Sequence, residues 1–119
     1  AFNTFPLMNG NFFPPNFFIQ SDIFDSLINA PYTVQFIHRS LGTVIFLTSI
    51  YLFYILFRYN RDWIRYTDFQ FFFAVCIQFL LGVLTLIYAV PIYMGVAHQV
   101  VACFVLILAY KMYYFSSSR

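Results

Sequence analysis

Glutamate is absent from this 119-residue sequence, and its acidic side chains are four aspartates, Asp22, Asp25, Asp62 and Asp68. Charged residues make up only 8% of the chain, where a soluble domain carries roughly a quarter. So few charges cannot coat a 14.1 kDa particle in water, which excludes an ordinary soluble domain. Disorder needs low hydrophobicity and high charge, and neither holds. Cysteine is scarce as well: Cys76 and Cys103 both lie in apolar runs. Two such residues cannot staple the chain as a disulfide scaffold and lack the close spacing of a metal motif; they read as small apolar fillers. A formal charge of +2 is too small to recruit nucleic acid. No aspartate falls inside an apolar run, so no buried carboxylate is available for acid or base work.

Hydrophobic residues supply 62% of the chain and aromatic residues 24%, with a mean hydropathy of +0.78. Lipid must cover such a surface. Uncharged apolar runs over 40–57, 69–90 and 92–110 are each long enough to cross a bilayer. They predict an all-α membrane protein with three transmembrane helices over about 33–57, 69–90 and 92–113. A signal peptide is a poor alternative, because nothing basic precedes Arg39. Pro91 after Val90 closes the second helix and opens the third, giving a tight hairpin. Residues 1–30 hold Pro6, Pro14 and Pro15, several Asn and many Phe, a composition for an irregular segment at the outer interface. Within it a short amphipathic turn is expected over 21–28, with Ser21 as N-cap and Asp22 and Asp25 near its positive end. Residues 31–119 form the membrane region.

Arg58, Arg61 and Arg65 lie between the first two helices, and Lys111 and Arg119 follow the third, so five of the six cations share one side. The positive-inside rule makes that side cytoplasmic in a bacterial plasma membrane, or matrix in a mitochondrial inner membrane. Three helices make a thin core, so packing against a further partner is expected. The opening Ala1 in place of Met reads as a processed or partial product.

Only two histidines occur, His38 and His98. Each falls six residues inside its helix, counting from Tyr32 and from Ile92, or about 9 Å along the axis. The first and third helices run the same way, so both imidazoles sit at one depth. Two neutral imidazoles facing each other can supply both axial ligands of a haem iron. Gly42 below His38, Gly95 and Ala102 around His98, and Gly82 on the second helix leave room for a flat ring. Small residues at that spacing equally serve close helix packing, and a membrane histidine equally serves a single hydrogen bond; both readings stand at this point. Arg39 either snorkels to headgroups or pairs with an anion such as a haem propionate. Gln35, Gln78 and Gln99 either orient a histidine or bridge helices, and the 18 Phe and 10 Tyr read as mostly lipid-facing surface and interfacial belt.

The stretch Val34-Gln35-Phe36-Ile37-His38-Arg39 with Leu41-Gly42, then Gln78-Phe79-Leu80-Leu81-Gly82-Val83-Leu84-Thr85-Leu86 running to Val90-Pro91 and Ala97-His98-Gln99, resembles the C-terminal half of the haem A synthase family. Asn3-Thr4-Phe5-Pro6-Leu7-Met8-Asn9-Gly10 is similar to that family's outer loop before the second helix of the same half. The resemblance runs from residue 1 to about 110. It implies membership of an eight-helix fold in two four-helix halves, in which the C-terminal half holds haem b (iron protoporphyrin IX) between two histidines. Carried onto this chain, it puts those iron ligands on His38 and His98. It implies oxidation of haem O to haem A for cytochrome oxidase, with the substrate pocket and an acting glutamate in the N-terminal half. Ile37 stands where the family usually has Asp. On the same comparison, three helices remain of eight and the chain is not a complete enzyme. Two partners follow as expectations beside the lipid bilayer. One is a chain supplying the missing helices of a split or cleaved haem A synthase; the other is the set of subunits of a respiratory complex in which this chain is a non-catalytic accessory.

Overall fold

The computed structural model describes residues 3–14, 31–59 and 66–117. The turn expected over 21–28, with Ser21, Asp22 and Asp25, lies outside the described residues, as do Asp62, Arg61, Arg65 and Arg119. Three helices follow in order: α1, Pro31–Tyr59; α2, Tyr66–Ile87; and α3, Ile92–Ser117. All three are long and apolar enough to cross a membrane, at about 1.5 Å of rise per residue against a hydrocarbon core about 30 Å thick. The described residues contain no strand beyond an isolated bridge between Met8 and Asn11. The chain is an all-α membrane protein.

Local chemistry explains each helix. Pro31 opens α1 at a position where its fixed φ suits a first turn and its missing N–H is not needed. In lipid a polar group gains most from a partner inside the protein, and three hydroxyls within the spans find one by bonding back along their own helix, while Thr33 Oγ1 is buried without one. Ser40 donates to the Phe36 carbonyl at 2.9 Å, Thr43 to Arg39 at 2.8 Å and Thr85 to Leu81 at 2.6 Å.

Helix α2 stops at Ile87, three residues short of the expected Val90. The reason is a C-terminal cap: the Val90 N–H reaches back to the Thr85 carbonyl at 2.7 Å and the Ala89 N–H to Leu86 at 3.1 Å. This is the Schellman pattern, which places its capping residue in the left-handed region. Ala89 at φ 60° and Val90 at φ 58° both occupy that region without being glycine. Pro91 then accepts from the N–H groups of Met94 and Gly95, each at 3.0 Å, and starts α3.

Helix α2 is the centre of the arrangement. It packs against α3 across the hairpin and against α1 on its other side, while α1 and α3 do not pack on one another. The α1–α2 seam is aromatic. Phe46 stacks on Phe79 with centroids 4.2 Å apart and Phe53 on Phe72 at 4.3 Å. Each pair is seven residues from the next on both helices, the spacing that returns to one helix face. These rings hold two helices together, while many of the other described Phe and Tyr side chains are exposed.

Residues 3–14 form an ordered loop beside this seam. Met8 and Asn11 exchange backbone hydrogen bonds at 2.8 and 3.2 Å around Asn9 and Gly10. Both central residues have positive φ, 51° and 85°, as a two-residue hairpin turn of the primed type requires. Met8 is buried at 1% exposure, and Phe5 meets Phe79 edge to face at 6.0 Å.

Candidate functional site

Because α1 and α3 stand apart on either side of α2, a gap opens between them with α2 as its floor. A cavity of about 560 Å³ fills this gap, within the range of roughly 300 to 1,000 Å³ typical of ligand and cofactor pockets. Its lining is overwhelmingly apolar, with His38, Arg39, Gln35, Gln78 and His98 as its conspicuous polar side chains.

The two histidines predicted to share a depth do come together. Their ring centroids are 6.1 Å apart with planes inclined at 75°. His38 is exposed in the protein alone, and His98 is half-buried against α2. The Gln78 side-chain amide lies 3.3 Å from His98 Nε2, while His98 Nδ1 and Gln78 Oε1 are buried with no hydrogen-bond partner. Gly82, one turn beyond Gln78, lets the ring approach: a Cβ there would sit 2.9 Å from His98 Cε1. Gly42 and Ala102 also border the cavity, as their spacing predicted, and the space over Gly42 is open. Gly95 does not line it.

Arg39 lines the cavity and donates from Nη1 to the Thr4 carbonyl at 2.8 Å, tying the first loop to α1. That bond is a destination neither sequence reading of Arg39 included. The same loop brings Phe5 into the cavity wall, which composition did not reveal. Of the other glutamines, Gln35 reaches the cavity and Gln99 does not. Cys76 and Cys103 are free thiols. Among the described residues no three His, Cys, Asp or Glu side chains come together as a metal cluster. Two imidazoles alone suit an ion whose remaining ligands arrive with it, as in a porphyrin.

The sequence and this geometry can be set beside known proteins. A family described as cytochrome oxidase assembly protein matches residues 1–110. The chain belongs to this family. Among curated relatives, a protein named heme A synthase in Bartonella tribocorum is 37% identical over 110 residues, covering 92% of this chain and 31% of that protein. One of the same name in Bartonella henselae is 38% identical over 109 residues, covering 89% and 30%. A third, from a Ruegeria species, is 30% identical over 120 residues, covering 98% and 31%. The chain therefore spans about a third of the length of the relatives it matches. No solved structure matches it. Family membership and three apolar spans make it an integral membrane protein.

Proposed function

We propose that this chain is the haem-b-binding portion of a haem A synthase, holding the group between His38 and His98 and supporting the oxidation of haem O to haem A for cytochrome oxidase. The observation that carries the reading is the 6.1 Å separation of the two imidazole centroids across an apolar cavity. A metal–imidazole bond is about 2 Å and the ring's own radius adds about 1 Å, so two imidazoles that would share one metal ion would lie about 6 Å apart, centroid to centroid. Gly42 leaves open space beside it in the cavity wall, and Gly82 gives the His98 ring room against α2. Arg39, held at the cavity by Thr4, offers a cation to a propionate.

His38 and His98 would hold the haem, which would supply electron transfer or structural support. The chain's own residues bind and orient it, exclude water through apolar walls, and neutralise its carboxylates. The substrate pocket falls to the helices that make up the rest of the relatives' length. Those helices sit on the same or another polypeptide. Purification from native membranes in mild detergent, followed by mass spectrometry and a haem spectrum, tests this. Haem O or haem A with polypeptide matching the rest of the relatives supports the reading. A preparation holding only unrelated respiratory subunits and no haem defeats it.

A further inference from the structure

Residues 3–14 reach the cavity wall at two points, through Phe5 directly and through Arg39, whose guanidinium they hold. Both depend on Thr4. Its hydroxyl donates to the Leu7 carbonyl at 2.6 Å and accepts from the Asn9 N–H at 2.9 Å, so one side chain fastens the segment to its own Asn9-Gly10 turn. Its carbonyl accepts from Arg39 Nη1 at 2.8 Å, across 35 positions of sequence. A guanidinium carries its five N–H donors in one rigid plane, so a fixed acceptor at Nη1 sets the direction of the whole fork. Phe5 follows Thr4 in the chain, and its ring stands edge to face on Phe79, itself stacked on Phe46 in the α1–α2 seam. The turn that Thr4 fastens thus carries one aromatic ring and aims one cation, both in the wall of the same cavity.

We propose that Thr4 is a positioning residue for a flat ligand with an acidic edge: its hydroxyl holds the turn, the turn holds its carbonyl, and the carbonyl aims Arg39 at a ligand carboxylate while Phe5 packs on the ring. The inference rests on the haem reading given above and deepens it, by assigning recognition of the acidic edge to residues 3–14. A cation held in a fixed direction gives a carboxylate a stronger and more specific partner than a mobile one. Thr4 acts through Arg39 and touches no reacting atom.

The test uses the full chain with whatever co-purifies, as wild type and as Thr4→Val, Thr4→Ser, Arg39→Gln and His98→Ala. The probes are iron protoporphyrin IX and, to leave out any bond from iron to histidine, metal-free protoporphyrin IX and its dimethyl ester. Valine keeps the shape and the carbonyl of Thr4 and loses only the hydroxyl. The deciding quantity is the ratio of acid to ester affinity, because a general loosening of the fold weakens both probes alike and leaves the ratio where it was. Wild type is expected to bind the acid about tenfold more tightly than the ester. Arg39→Gln is expected to bring the ratio close to one, and Thr4→Val to lower it severalfold while speeding amide exchange at Asn9. Thr4→Ser, which keeps the hydroxyl, is expected to hold the wild-type ratio. If Thr4→Val speeds exchange at Asn9 and leaves the ratio unchanged, or if wild type does not tell acid from ester, the inference is overturned. The haem reading is judged separately, by the low-spin signal with iron protoporphyrin IX. A signal lost in His98→Ala keeps that reading whatever the ratio does; the same signal in wild type and His98→Ala defeats the reading and the inference with it.

Discussion

His38 and His98 meet edge to face with centroids 6.1 Å apart, on two helices that do not pack on one another. Their proximity is therefore a property of the cavity they enclose and of α2, which holds both flanking helices in place. Weakening either flank of α2 should separate them.

The α1 flank depends on stacked rings. Replacing Phe46 and Phe79 by Ala, singly and together, should give a double-mutant coupling of about 1 kcal/mol beyond the lost burial, read from unfolding of the detergent-solubilised chain. Purely additive effects would show that the pair, 4.2 Å apart, does not hold the seam.

The hairpin carries local strain. Ala89 at φ 60° and Val90 at φ 58° sit where an L side chain crowds its own backbone, at a cost of roughly 1–2 kcal/mol per residue. Ala89→Gly should therefore stabilise the chain by about 1 kcal/mol, seen as a higher thermal midpoint in detergent. An equal or larger loss of stability would contradict the positive φ.

Arg39 ties residues 3–14 to α1 through the Thr4 carbonyl. Arg39→Gln should loosen residues 3–14 and speed amide exchange at Met8 and Asn11 about fivefold, corresponding to roughly 1 kcal/mol for an exposed hydrogen bond. Unchanged protection would mean that Phe5 against Phe79 holds the loop unaided.

The charge distribution predicts an orientation. Reporter fusions at Asn60 and Ser117 should lie on one face and at Gly10 on the other, with the Arg58 side inward. A reporter at Asn60 on the outer face would reverse the topology.

The spans were legible because lipid leaves few alternatives: long uncharged runs must be helices. The shared depth of His38 and His98 was legible for the same reason, since helical rise converts residue count into distance. The end of α2 was not, because a Schellman cap normally announces itself with glycine and here uses Ala89 and Val90. The seam of Phe46, Phe53, Phe72 and Phe79 was hidden among 18 phenylalanines, although their seven-residue spacing was there to be read. The Asn9-Gly10 turn had its sequence signal too. Contacts from Arg39 to Thr4 and from Phe5 to the cavity join residues far apart in the chain, and no local pattern announces them.

The central claim is that His38 and His98 together ligate one haem iron, and the electron paramagnetic resonance and absorption spectra of the purified chain test it most directly. The account predicts a low-spin bis-histidine signature in the wild type that disappears in His38→Ala and, independently, in His98→Ala. A low-spin signature that survives either substitution would contradict it.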